Sequence, residues 1–176
     1  TKAVAYRIYT PAGQFREFKV TVRNHSYSGL PLLVLSTEGA APVSSKETWI
    51  QGTMRIDRQE NDCDEFSGQI EIKGRGNNSW AKDKKPYAIK LAEKQPVMGM
   101  NKHKRWALLA NASDKTLLRN RVAFEIAKHA TALDWTPDSR YVDVILNGRF
   151  LGNYLLTEQI KIDLSLIHIS EPTRHA

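Results

Sequence analysis

Cysteine is nearly absent. The 176 residues hold one, Cys63, which excludes an internal disulfide and any zinc cluster built on cysteine pairs. It leaves an extracytoplasmic address open. With no histidine near it in sequence, Cys63 reads as an incidental thiol in an acidic loop, Asp57 to Glu65, rather than as a nucleophile. Histidine is also sparse, and the five present are scattered without metal-ligand spacing, so no preformed metal site is expected. No apolar run reaches the roughly 20 residues of a membrane-spanning helix. No signal-peptide pattern starts at residue 1, and because that residue is Thr1 rather than Met the N-terminus is expected to be a cut.

What is present fits a globular domain of ordinary size, or one lobe of a larger one, with enough residues to bury a core. The charge is uneven. The whole chain carries +7, but the stretch from Lys73 to Lys128 holds 14 Lys and Arg against 4 Asp and Glu, so the remainder is net acidic. Phosphate-bearing ligands are the natural partners of such a middle third. Nucleic acid is not the expected one, because the basic residues are threaded through strand and helix patterns with no recognisable nucleic-acid module.

The stretch Gly68 to Leu91 organises the rest. Ile70 and Ile72 alternate with Gln69, Glu71 and Lys73, the period-2 pattern of a half-buried strand. Gly74 and Gly76, one residue apart, then permit a tight turn with positive φ and bare N–H groups, and Asn77, Asn78 and Ser79 add donors. Such a nest suits an anion. Lys82, Lys84, Lys85 and Lys90 bring cations near it, Trp80 offers a flat apolar face, and after Pro86 a second strand runs from Tyr87 to Leu91.

Around this stretch, residues 4–9 and 15–22 read as a hairpin, and Pro31 to Leu35 as a buried strand. A helical turn is expected at 44–50, before a strand from Gly52 to Asp57. Trp106 to Ala110 is a further strand. Ser113 is a good N-cap and Asp114 suits the positive end of a helix, placed at about 114–131. Leu118, Val122 and Ala132 share one face of that helix with Glu125 and His129. A carboxylate on an apolar stripe needs a cation, since burying it alone is costly. Asn147-Gly148 predicts a type I′ hairpin between strands 141–146 and 150–156.

Four motifs, RGNNSW at 75–80, KKPYAIKL at 84–91, GMNKHKRWALLANASDKTLLRNRVAFEIAKH at 99–129 and RYVDVILNGRFLGNYLLTEQIKID at 140–163, give the chain a resemblance to the spore-coat protein H (CotH) kinase family over about Leu30 to Asp163. The resemblance implies an α+β fold, an atypical protein-kinase-like N-terminal lobe with a mostly antiparallel sheet and one long helix. It also implies binding of ATP with Mg2+ and phosphorylation of a protein, and suggests a bacterial extracytoplasmic, cell-surface or coat location. The domain plan is then a β-rich segment at 1–28, the kinase-like lobe at 29–163, and a tail at 164–176. That tail resembles translated adapter read-through and is expected to be non-native.

Carried residue by residue, the resemblance assigns phosphate binding to the turn Gly74, Arg75, Gly76, Asn77 and Ser79. In protein kinases a strand-end lysine pairs with a helix glutamate and with phosphates, and Lys90 of Ala88-Ile89-Lys90 with Glu125 looks like that pair. Lys85 competes for the lysine role, and Glu125 has Arg121 and Lys128 as other partners. Arg105 and Arg119 are further phosphate ligands to consider, as is Arg121. Trp80 stacks on adenine or anchors the core. The segment 157–160 frames the adenine edge, with Glu158 at the ribose or exposed, and Gln159 beside it. The chain departs from ordinary kinases in having G-R-G-N-N-S-W for the glycine loop and about one strand fewer. The acidic metal ligands and catalytic groups are expected beyond Asp163, so this chain alone should be catalytically silent. The readings from other classes are a surface or coat module docking an acidic partner, and a glycan-binding β module.

Overall fold

The computed structural model describes residues 2–9, 11, 13–22, 28–130, 133 and 135–159. Strands β1 (Lys2–Tyr9) and β2 (Phe15–Val22) pair antiparallel from Lys2↔Val22 to Tyr9↔Phe15, the expected hairpin. The next seven strands are β3 (Leu32–Thr37), β4 (Ile50–Asp57), β5 (Phe66–Gly74), β6 (Tyr87–Gln95), β7 (His103–Leu109), β8 (Ser139–Leu146) and β9 (Arg149–Glu158). They close into a barrel in the order β3-β4-β5-β6-β7-β9-β8, and the seam between β8 and β3 is its parallel pairing.

Alternation along each strand fills the barrel. Ile70 and Ile72 of β5, Ile89 and Leu91 of β6, Trp106 and Leu108 of β7, and Tyr154 and Leu156 of β9 are all buried in one cluster with Leu33, Leu35, Met54 and Ile56. A barrel of this size has an interior that side chains fill, so it leaves no lumen for a ligand. Any site must lie at a mouth or on the outer face.

The α+β architecture with a long helix is therefore overturned: the described residues are mostly sheet, closed into the barrel, with one short α-helix, α1 (Arg119–His129). The expected start at Ser113 fails for a local reason. Leu117 takes φ +60°, which no α-helix tolerates, and its carbonyl is held there by the Tyr141 hydroxyl at 2.7 Å and the Asn111 amide at 3.2 Å. The Asp114 carboxylate caps the turn instead, accepting from the N–H of Thr116 and of Arg119. These bonds, the Thr116 hydroxyl first, hold its carboxyl below the usual range. Thr131 and Ala132, at the expected far end, lie outside the described residues. The apolar stripe does not face the barrel: Leu118, Val122 and Ile126 are about half exposed or more. No helical turn forms at 44–50; a short 3-10 turn lies earlier, at Glu38–Ala40.

The Asn147-Gly148 hairpin is as expected. Both residues have positive φ, +51° and +78°, and β8 pairs with β9 from Leu146↔Arg149 onward. The Asn147 side chain also accepts from the Thr37 N–H at 2.8 Å and donates to the Thr37 hydroxyl and the Ala41 carbonyl. It thus ties the hairpin to β3 across the seam.

Candidate functional site

The connection from β5 to β6, residues 75–86, folds over one mouth of the barrel. Trp80 is its plug. Its indole lies where a Cβ on Gly74 would stand, so only glycine fits there, and it meets Tyr87 edge to face at 6.4 Å. Lys85 donates to the Trp80 carbonyl at 2.8 Å and sits over the indole. Tyr154 donates to the Lys85 carbonyl at 2.9 Å, and Lys84 donates to the Asn153 carbonyl. Burial lowers the Lys84 ammonium below its usual range, opposed by Asp143. Of the two sequence readings, Trp80 is thus a core anchor in this structure, and Lys85 holds that anchor in place.

With Trp80 turned inward, the Gly74–Asn77 turn faces outward. Gly76 has φ +82°, a backbone conformation that favours glycine, and a Cβ there would have to displace the Ser79 hydroxyl. The turn borders a cavity of about 480 Å³ on the outer face of the barrel, lined also by Lys46, Glu47, Trp49, Lys73, Ala88, Arg105 and Gln159. That size lies in the roughly 300–1,000 Å³ range of small-molecule sites. Ala88, nearly buried, lies on its floor. Lys73 lies over the Trp49 ring at 4.9 Å, and the Gln159 N–H bonds the Arg105 carbonyl at 3.1 Å.

Two groups in this cavity are withdrawn from solvent without a counterpart. The Gln159 Oε1 is buried without a hydrogen-bond partner, and the Arg75 guanidinium has neither a carboxylate nor a hydrogen bond among the described residues. Burial pushes the Arg75 pKa below its ordinary value, with no acid to offset it. A buried acceptor lacking a donor and a desolvated cation lacking an anion are both costly unless a ligand completes them.

Of the sequence-derived set, the cavity brings together Gly74, Arg75, Gly76, Asn77, Arg105 and Gln159, with Ser79 just across the turn. It does not gather the rest. Lys90 points from β6 toward Glu71, its ion-pair partner, beside Trp49. Glu125 lies on α1, 2.8 Å from Arg121 and 3.6 Å from Lys128. Lys90 and Glu125 therefore form no pair, because the short helix carries Glu125 away from the face of β6 that bears Lys90. Glu158 turns to the same side as Trp106, its cross-strand neighbour, with its side chain wholly buried 3.5 Å from His103. Ile160 lies outside the described residues.

Sequence reasoning missed Lys46, Trp49 and Lys73. Lys73 was within reach: it directly precedes Gly74, and period 2 places it outward with Glu71. Trp49 carries no local signal, because its position depends on β4 pairing with β5. Among the described residues no group of three His, Cys, Asp or Glu is arranged to hold a metal, and no helix is long and apolar enough to cross a membrane.

No curated protein matches the chain. A family model does: residues 70–174, more than half of the sequence, match the family described as CotH kinase protein. The match begins in β5 and takes in the Gly74–Asn77 turn, the cavity floor and Gln159, and by it the chain belongs to the CotH kinase family.

Proposed function

We propose that this chain supplies the ATP-binding part of a CotH-type protein kinase, and that the outer-face cavity at the Gly74–Asn77 turn is the nucleotide site. The observation that carries the reading is the pair of unmatched groups, Gln159 Oε1 and the Arg75 guanidinium, in one cavity. An adenine 6-amino group is a donor suited to the first, and phosphate oxygens suit the second. Lys73 and Arg105 add positive charge, the bare N–H groups of the turn cradle phosphate oxygens, and Trp49 offers a ring for the base. ATP delivers the phosphoryl group. These residues orient it and neutralise its charge, which is most of what phosphoryl transfer asks of a protein.

The described residues do not fit a protein-held Mg2+, since Glu47 is the sole carboxylate lining the cavity. The ion would arrive on the nucleotide, with the catalytic acids supplied elsewhere in the parent protein, so this chain alone binds but does not transfer. An extracytoplasmic or coat setting, with a protein as phosphoacceptor, accords with the family. Calorimetric titration of the chain with Mg-ATP tests the reading. Binding that weakens about tenfold in both Arg75→Ala and Gln159→Leu is expected, a loss of roughly 1.4 kcal/mol each. Absence of binding, or binding indifferent to both substitutions, overturns it.

A further inference from the structure

A second cavity, of about 380 Å³, lies on the other side of the same turn, between the 75–86 connection and residues 109–120. It shares Arg75 and Gly76 with the first. Its floor is apolar, from Pro86, Leu109 and Ala110, and its rim carries Lys82 and Arg119. We infer that this cavity is a docking site for a phosphorylated serine or threonine side chain of a protein substrate, an inference that rests on the nucleotide reading of the neighbouring cavity.

The charge balance selects the ligand. Three cations, Arg75, Lys82 and Arg119, line the cavity against one carboxylate, Asp114, and the surplus of two matches the roughly −1.5 to −2 charge of a phosphomonoester. Arg119 lies 3.7 Å from Asp114 with most of its side chain in solvent, free to turn inward. The Lys82 ammonium has no ion-pair partner among the described residues, and Arg75 has none either. An Arg fork beside an ammonium is the usual receptor for phosphate on a peptide. A nucleotide fits less well here, because among the described residues no aromatic ring lines the cavity for a base to stack on, whereas the first cavity has Trp49. Because the two sites share Arg75, an existing phosphate would sit next to the terminal phosphate of ATP, and each anion would weaken the other's hold on that guanidinium.

The test is fluorescence anisotropy with the whole chain and a labelled neutral peptide carrying one phosphoserine, beside its unphosphorylated twin, with Mg-ATP binding measured in parallel. The phosphopeptide is expected to bind at least about tenfold tighter than its twin, and Lys82→Ala and Arg119→Ala each to weaken it about fivefold while leaving ATP binding unchanged. Both side chains are exposed, so folding is not at risk, and Arg75→Lys, which keeps the charge but loses the fork, serves as a second probe. Equal binding of the two peptides overturns the inference, as does complete displacement by a saturating non-hydrolysable ATP analogue, beyond the partial weakening a shared Arg75 allows, which would make the cavity a subsite for the nucleotide's own phosphates. Inorganic phosphate competing at the peptide's own concentration overturns it too, in favour of a free-ion site. Phosphopeptide binding without ATP binding supports the docking site and sinks the nucleotide reading.

Discussion

The two mouths of the barrel are closed by opposite chemistry. Where β5 gives way to β6, the plug is the indole of Trp80, resting on Gly74 and Tyr87. At the other end the plug is polar: the Glu158 carboxylate is wholly buried, receiving the Asp138 N–H at 3.3 Å, with His103 at 3.5 Å and no closer donor to its Oε1. The apolar plug rests on ring contacts and one Lys85 bond to the Trp80 carbonyl, so the turn above it can direct Arg75 and its N–H groups outward. The acidic plug holds its surroundings to itself. Asp138, whose N–H it occupies, is in turn gripped by Lys128 and Arg140, and Thr157 donates to the Asp138 carbonyl. One mouth turns its unmatched groups toward the surface, and the other ties its acid inward, leaving the buried Glu158 Oε1 without a hydrogen bond.

The comparison is broken most forcefully at Trp80. Trp80→Ala removes the plug and leaves a void beside Gly74, and a loss of about 3 kcal/mol is expected for a large aromatic group of this kind. Urea denaturation measures the loss. Because the same ring sets the turn, Mg-ATP affinity should fall in the variant even where it remains folded. Unchanged stability would mean that Trp80 does not close the barrel.

The acidic mouth is tested by pH. Burial raises the Glu158 pKa above its ordinary 4.5, opposed by His103. A carboxyl whose folded pKa is raised contributes its full stability below the unfolded value and loses it as pH climbs through the folded one. The wild type should therefore gain stability on acidification from pH 7 toward pH 5, whereas Glu158→Gln, which cannot ionise, should be flatter over the same window. Urea midpoints at the two pH values decide it, and parallel slopes would mean that the carboxylate is no worse off buried than in water.

A smaller effect sharpens the picture of the first mouth. Lys85→Met retains the methylene stem over the indole but deletes the bond to the Trp80 carbonyl, and about 1 kcal/mol is the usual net worth of such a bond. ATP affinity should change little, because Lys85 points away from the cavity. A large loss of affinity with full stability would return Lys85 to the phosphate-binding role that the sequence allowed it.

The sequence made local features legible and left non-local ones obscure. The positions of β5, β6, β8 and β9 follow from alternation, and the Asn147-Gly148 turn from two residues that accept positive φ. The Gly74–Asn77 turn was visible for the same reason. Closure of the barrel was not, since it rests on β3 lying parallel to β8 across more than 100 residues of chain, with no marker in either strand. The helix was overextended because Ser113 and Asp114 look like a cap, while the interruption at Leu117 is imposed by Tyr141 and Asn111 from outside the segment. The errors at the site share this origin. Whether Gln159 or Glu158 faces the cavity is decided by which side of the chain each takes as β9 ends, and period 2 alone does not say which side is inside.

The smallest effect separates two accounts of Lys90. If it paired with Glu125 as kinase analogy suggests, a double-mutant cycle over those two positions would return a coupling well above that of a surface pair. The structure gives Lys90 to Glu71 and Glu125 to Arg121 and Lys128. All of these side chains are a quarter or more exposed, where ion pairs contribute about 0.2–1 kcal/mol and i,i+4 helix pairs about 0.3–0.5. The Lys90–Glu71 cycle should therefore yield about 0.5 kcal/mol, declining with salt, and the Lys90–Glu125 cycle a value within error of zero. A coupling above 1 kcal/mol between Lys90 and Glu125, appearing when Mg-ATP is added, would show that α1 swings toward β6 on binding, and its exposed stripe of Leu118, Val122 and Ile126 would then be the face that moves.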